Sequence, residues 1–152
     1  IGHLQSNKAK EAVKIFDLIH SIDKESTAEK VDREAAAAGK IQKVLLQVNT
    51  SGEESKSGCS PDEAVEICEK ISRLQNIRVE GLMTIGPNVD TEESVRQSFS
   101  LLRGLRDRMR DRTGLALSEL SMGMSGDYEI AVEEGATLLR IGSAIFGNRT
   151  YA

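Results

Sequence analysis

The chain has 152 residues, which suits one domain, and its 20 Lys and Arg against 24 Asp and Glu give a formal net charge of −4. This mild negative charge and an aromatic content of only 3% argue against a nucleic-acid-binding surface. No apolar run reaches membrane length, and Cys59 and Cys68 lie outside any metal-binding spacing. The composition therefore predicts a cytoplasmic protein with two free thiols, no metal site and no membrane partner.

Short apolar runs recur along the chain, and their length and polar or glycine boundaries predict strands. Ile1 and Gly2 are interpreted as the end of a first strand, and Gln5–Lys8 as a polar loop that leads into a helix. Five further strands are predicted over Leu18–Asp23, Lys43–Thr50, Arg78–Ile85, Leu117–Met124 and Leu138–Phe146.

Helical patterns separate these runs. Ser60, Pro61 and Glu63 form a capping-box pattern that marks a helix start. Helices are predicted over Thr27–Ala38, from Ser60 onward, over Thr91–Arg112 and over Asp127–Glu134. Strict alternation predicts an α/β fold with parallel strands, which both an open doubly wound sheet and a (β/α)8 barrel satisfy. Either fold binds ligands at the carboxyl ends of its strands.

Two turns that contain glycine and serine follow the last two predicted strands. Ser125 and Gly126 come after one strand, and Gly142 and Ser143 come after the next. Backbone N–H groups at such turns favour an anion, and the loops after strands seven and eight of a barrel frequently build a phosphate site. The alternative for the first turn is that Ser125 or Asp127 only caps the following helix.

Two further features each allow two interpretations. Arg140 lies inside an apolar run, so its charge needs either a structural ion pair or a bound cofactor whose ring nitrogen accepts from it. The polar loop Asn49–Gly58 is either solvated or part of a site, with Asn49 directed into a pocket and Lys56 attracting anions. His20, inside "LIHSID", is interpreted as a core or strand-end residue rather than a ligand.

Several segments together resemble one protein family. They are "IGHLQSNK", "VNTSGEESKSG", "GLMTIG", "ELSMGMSGDYEIAVEEGATLLRIGSAIFG" and the closing Arg149-Thr150-Tyr151. In this order they resemble the pyridoxal phosphate homeostasis protein family, a single-domain relative of the alanine racemase barrel. The resemblance implies one domain over residues 1–152, with a (β/α)8 TIM-type barrel of the alanine racemase N-terminal-domain type. The chain would hold the end of strand three through strand eight.

The resemblance also implies a cofactor, pyridoxal 5′-phosphate (PLP), at the mouth of the barrel. Ser125, Gly142 and Ser143 would cradle its phosphate, with Gly126 in the same turn, and Arg140 would face the pyridine nitrogen. No catalytic residue is implied. The remaining implied cofactor-binding residues are Asn49 and Met83 beside the ring, Gly2 and His3 at the end of strand three, and Lys56 near the pocket mouth.

The chain departs from the family pattern in its missing lysine motif. In the family a lysine in a motif like "AVSKT-KP", at the end of strand one, holds the PLP aldehyde, and a "GENY"-like motif ends strand two. Neither motif occurs here. We therefore expect a fragment, an incomplete sequence, or a chain that assembles with another through open sheet edges. It would keep the half of the site that binds the phosphate of PLP, or a phosphate or sulfate ion.

The function implied is PLP binding in PLP homeostasis, by buffering or delivery of the cofactor, without established turnover. Two enzyme classes are alternatives. A PLP-dependent, racemase-like enzyme needs a Schiff-base lysine and a second acid–base group. A phosphate-binding barrel enzyme without PLP should carry carboxylates at its strand ends, where mostly Asn, Met, Ser and Gly occur.

Overall fold

The computed structural model describes residues 1–88 and 91–147, in which strands and helices alternate. The strands β1 (Leu18–Ile22), β2 (Gln42–Gln47), β3 (Ile77–Met83), β4 (Glu119–Met124) and β5 (Leu138–Arg140) form one parallel sheet in chain order. After a 3-10 turn at Ser6–Lys8, the helices are α1 (Ala9–Ile15), α2 (Glu25–Ala37), α3 (Pro61–Ile71), α4 (Glu92–Thr113), α5 (Tyr128–Glu133) and α6 (Ser143–Phe146).

The strand order decides between the two folds that alternation allows. A doubly wound sheet reverses its order at a switch point, whereas here each strand lies beside the next one in the chain. The sheet is also strongly curved, because His20 of β1 and Ser121 of β4 lie 2.9 Å apart at their polar atoms. Three strand spacings would separate β1 from β4 by about 14 Å in a flat sheet. The architecture is therefore a parallel half-barrel of five strands.

One face of the sheet packs against the helices. Successive helices contact one another from α1 to α5, so they form a single layer. Val44 and Leu46 of β2 join Phe99 and Leu102 of α4 in the hydrophobic core, and each such buried side chain contributes roughly 1.5–3 kcal/mol. Side chains alternate along a strand, so residues such as Ser121 and Arg140 lie on the concave face.

The helix boundaries follow local signals in the sequence. Ser60 Oγ accepts from the Glu63 N–H at 3.3 Å, and Glu63 Oε2 accepts from the Ser60 N–H at 3.4 Å, which confirms the capping box. Gly39 and Gly114 have φ angles of 65° and 70°, a left-handed conformation that ends α2 and α4.

The prediction for the fifth strand is wrong beyond Arg140. The apolar run Leu138–Phe146 predicted one strand, but β5 ends at Arg140, opposite Met124 of β4. After that point the Ile145 and Phe146 N–H groups donate to the Gly142 carbonyl, each at 2.9 Å. Glycine interrupts the extended backbone, and the hydrogen bonds that a strand would take from the sheet are made within a helical turn instead.

The prediction of a strand end at Ile1 and Gly2 is also wrong for the described structure. Residues 1–5 form no strand, because no described strand lies beside them to share a hydrogen-bond ladder. Arg149, Thr150 and Tyr151, which contributed to the resemblance, lie outside the described residues. Within the described ranges, no helix is long and apolar enough to cross a membrane.

Candidate functional site

A cleft opens at the carboxyl ends of β4 and β5. Its volume is about 630 Å³, and its lining includes the four residues predicted to hold a phosphate, together with Arg140 of β5 and His20 of β1. The lining residues used below are Ser125, Gly126, Gly142, Ser143, Arg140 and His20. The structure thus brings the two predicted glycine–serine turns into one site.

The Ser125 hydroxyl is the point at which the two turns meet. Its Oγ accepts from the N–H groups of Gly142 and Ala144, each at 3.1 Å. Asp127, not Ser125, occupies the position before α5, and its Oδ1 accepts from the Met124 N–H at 2.6 Å. The alternative that Ser125 merely caps its own helix is therefore wrong, because its hydroxyl bridges to the next turn.

Two glycines of this site border open space. A Cβ placed on Gly126 or Gly142 would meet no atom within 4 Å. Gly123 differs, because a Cβ there would lie 2.5 Å from the Ala131 Cβ of α5. Gly123 thus lets β4 end close to α5, whereas Gly126 and Gly142 leave the cleft side open.

Arg140 is 9% exposed and is held by neutral acceptors. Its Nη1 donates to Ser121 Oγ at 2.7 Å, and its Nη2 donates to the Thr84 carbonyl at 2.8 Å. No ion pair of Arg140 occurs among the described residues. Burial lowers the pKa of the guanidinium, and the negative charge of Asp127 opposes this effect. The structural ion pair expected as one alternative is not found there.

The hydrogen bonds of Arg140 extend across the rim of strand ends. Thr84 Oγ1 donates to the Val48 carbonyl at 2.8 Å and lies 2.8 Å from Thr50 Oγ1. Thr50 Oγ1 in turn lies 2.6 Å from Ser98 Oγ of α4. Arg140 is therefore tied through Thr84 to β2, β3 and α4.

Sequence reasoning missed His20 and Ser121. His20 Nδ1 lies 2.9 Å from Ser121 Oγ, the atom that accepts from Arg140. Burial, together with the positive charges of the amino terminus and Arg140, lowers the pKa of His20 from 6.5 to about 4, and burial is the largest of these causes. The available signal was Ser121 itself, a polar residue between Leu120 and Met122 in an apolar strand.

Asn49 and Lys56 make their described contacts within and between loops. The Asn49 amide donates to the Glu53 and Lys56 carbonyls at 2.8 and 3.3 Å, and its Oδ1 accepts from Ser51. Lys56 Nζ lies 2.9 Å from Glu53 Oε1 and donates to the Gly86 carbonyl. These contacts hold the loop after β2 against the loop after β3.

The other predicted residues lie in two places. Met83 is fully buried at the end of β3. Gly2 and His3 line a neighbouring cleft of about 500 Å³ that also includes His20. His3 Nδ1 lies 3.4 Å from Asp23 Oδ2, at the end of β1.

Both cysteines are free, as predicted, and the structure shows that both are buried. Burial raises the pKa of the Cys59 thiol to about 12 and that of Cys68 to about 11. Neither thiol is therefore a thiolate near neutral pH, and neither serves as a nucleophile.

Comparison with known proteins identifies the family of this chain. The family described as "Alanine racemase, N-terminal domain" matches residues 1–150. A pyridoxal phosphate homeostasis protein of Aquifex aeolicus is 45% identical over 151 residues, which cover 99% of this chain and 66% of that protein. The chain thus spans just under two thirds of that relative's length.

Solved structures give the same result. PipY of Synechococcus elongatus with PLP bound is 38% identical, with a TM-score of 0.88 over 97% of this chain and 68% of PipY. Alanine racemase of Clostridium difficile, 17% identical, shares the fold with a TM-score of 0.81 over 99% of this chain and 41% of that enzyme. The chain belongs to the pyridoxal phosphate homeostasis protein family, whose fold is that of the alanine racemase N-terminal domain.

Proposed function

We propose that this chain binds the phosphate end of PLP in the cleft beside β4 and β5, and that it serves PLP homeostasis by buffering or delivering the cofactor rather than by catalytic turnover. The observation that carries the proposal is the convergence of the Gly142 and Ala144 N–H groups on one point, 3.1 Å from each nitrogen. The Ser125 hydroxyl occupies that point. Because Ser125 Oγ accepts from both N–H groups, its own hydroxyl proton can be donated to a phosphate oxygen, and such charge-assisted hydrogen bonds are roughly twice as strong as neutral ones.

The residues of the cleft fit the phosphate and the ring of PLP. Gly126 and Gly142 border open space, and Ser143 adds a hydroxyl. Arg140 supplies a buried cation without a described carboxylate partner. Opposite the pyridine nitrogen, such a cation keeps that nitrogen unprotonated. PLP supplies an electron sink when bound, and an unprotonated ring is the weaker sink, which favours storage over turnover.

The aldehyde end of PLP has no matching residue by sequence motif. Lys56, in the loop after β2, is engaged by Glu53 and the Gly86 carbonyl. We therefore expect non-covalent retention of PLP by this chain. Asn49, Met83, Gly2 and His3 stay predicted neighbours of the ring.

A closed eight-stranded barrel in a single domain is a further part of the proposal. β1 and β5 each pair with one neighbour in the described part of the chain, and such an edge is a template for another strand. Either additional strands or a second copy of the chain would cover these edges. Analytical ultracentrifugation distinguishes them, because self-association depends on protein concentration.

Calorimetric titration tests the proposed function with three probes: PLP, pyridoxine 5′-phosphate and inorganic phosphate. We expect the first two to bind with similar affinity, because pyridoxine 5′-phosphate lacks only the reactive aldehyde. Both should bind more tightly than inorganic phosphate. After borohydride reduction with PLP, the mass of the chain should not increase. Equal affinity for all three probes would reject PLP in favour of a general phosphate site.

Two variants separate the two ends of the ligand. Ser125→Ala should lower the affinity for all three probes by about tenfold. Arg140→Ala should instead reduce the preference for PLP and pyridoxine 5′-phosphate over inorganic phosphate. Ser118→Ala is a matched control, because Ser118 is an exposed serine at the opposite end of β4. Arg78→Ala, at the amino end of β3, is the control for the arginine.

A further inference from the structure

The concave face of the sheet carries a chain of polar contacts that ends in the cleft. His20 of β1, Ser121 of β4 and Arg140 of β5 follow one another at 2.9 and 2.7 Å. The three strands are not consecutive, since β2 and β3 lie between β1 and β4. The contact between His20 and Ser121 therefore spans the curved face and depends on its curvature.

The direction of each hydrogen bond follows from the donors available. A guanidinium has donors only, so Ser121 Oγ accepts from Arg140. The Ser121 hydroxyl can then donate its single proton to His20 Nδ1, when that nitrogen is the unprotonated one of a neutral imidazole. In this arrangement the ring proton of His20 is on Nε2.

The lowered pKa of His20 agrees with this assignment, because an imidazolium would place a second cation against the oxygen that Arg140 occupies. It would also deprive Ser121 of the acceptor that orients its hydroxyl. The Ser121 oxygen that accepts from Arg140 Nη1 would then no longer be held in a fixed orientation. The other bond, to the Thr84 carbonyl, fixes one nitrogen alone and leaves the guanidinium plane free to rotate.

We propose that His20 is a positioning residue for Arg140, acting through Ser121 as a fixed acceptor that aims the guanidinium into the cleft. Its effect on ligand selectivity rests on the proposed function, in which Arg140 faces the pyridine nitrogen of PLP. His20 then determines how well the chain distinguishes a pyridine-bearing phosphate from a bare phosphate. The sequence assigned no such role to this histidine.

Two substitutions at the same position test the acceptor. In His20→Asn the amide Oδ1 replaces Nδ1 at the same distance along the side chain, and in His20→Leu no acceptor remains. We expect His20→Leu to lower the ratio of affinities for pyridoxine 5′-phosphate and inorganic phosphate by roughly fivefold to tenfold. His20→Asn should keep this ratio within about twofold of that of the natural chain. If the role of His20 were purely structural, the substitutions would weaken the binding of both probes equally, and the ratio of the two affinities would not change.

A second measurement needs neither a ligand nor a variant that folds. In ¹⁵N NMR spectra of the free chain at neutral pH, His20 Nδ1 should be unprotonated and Nε2 should carry the proton. A proton on Nδ1, or equal loss of selectivity in His20→Asn and His20→Leu, would overturn the proposal. If the natural chain itself prefers neither probe, the proposed function fails, and the NMR result still decides the assignment of His20.

Discussion

The two halves of the strand-end rim use similar polar residues for different purposes. After β4 and β5, the donors of Gly142, Ala144 and Arg140 point to a cleft and are held by neutral oxygens. After β2 and β3, Lys56 and Asn49 contact the carboxylate and carbonyls of their own loops. We therefore expect a polar, glycine-containing loop to bind a ligand only where its donors have no charged partner in the chain itself.

The comparison is tested most strongly at Gly58, in the half that holds loops together. Its φ is 127°, and a Cβ there would lie 2.6 Å from the Asn49 nitrogen. We expect Gly58→Ala to lower the free energy of unfolding by about 2–4 kcal/mol, measured by urea denaturation. Gly52→Ala is the control, because Gly52 has a φ of 74° with no atom within 4 Å and should lose only about 1 kcal/mol. Equal losses would show that backbone strain alone, and not the close approach to Asn49, requires glycine at residue 58.

Gly142 tests the half after β4 and β5, where we expect a substitution to reduce ligand affinity rather than stability. Gly142→Ala should change the free energy of unfolding by less than about 1 kcal/mol, because its Cβ meets no atom within 4 Å. Gly142 lines the cleft, so the added methyl group should take up space there, and affinity for inorganic phosphate and pyridoxine 5′-phosphate should fall about tenfold. Gly104→Ala in α4 makes the same chemical change away from the cleft and should leave affinity unchanged. Unaltered phosphate binding in Gly142→Ala would remove this turn from the proposed site.

The same contrast explains how much of the molecule could be predicted from its sequence. The strand and helix order follows from local periodicity and caps, as the capping box at Ser60 and Glu63 shows. The contact between His20 and Ser121 joins residues 101 positions apart, and its existence depends on the curvature of the sheet. No local pattern contains that information.

The fifth strand and Lys56 show the same limit of local patterns. The apolar run after Arg140 suits a strand or a helix turn equally well, and its local pattern does not show that the pairing with β4 ends at Arg140. Lys56 in a polar loop suits an anion site as well as it suits a loop contact. The nearby Glu53 and Gly86 carbonyl, brought together by the fold, decide which contacts it makes.

The contacts of Lys56 give a third prediction, with a smaller effect. Lys56→Met should lower Tm by about 3 °C, because it removes the contact between the loops after β2 and β3. Adding Glu53→Gln to Lys56→Met should lower Tm little further, since the two side chains act as one pair. Phosphate affinity should not change in either variant. A loss of affinity at low ionic strength with an unchanged Tm would instead support the original expectation that Lys56 attracts anions.

The smallest expected effect concerns His20 and acid pH, and it tests whether the cleft half is held by a neutral imidazole. The pKa of His20 is lowered by burial to about 4 in the folded chain, against 6.5 for a free imidazole. The unfolded chain therefore binds the extra proton first, so this stabilisation is complete above pH 6.5 and is lost as the pH falls toward 4. Because His20 is only half-buried, we expect the natural chain to lose about 1 kcal/mol more than His20→Asn over this range. Both chains carry the same carboxylates, so the difference between their urea midpoints, followed from neutral pH to pH 4, isolates the imidazole. If the urea midpoints of the two chains fell in parallel with pH, protonation of His20 would not destabilise the fold. His20 would then not act as a neutral acceptor for Ser121.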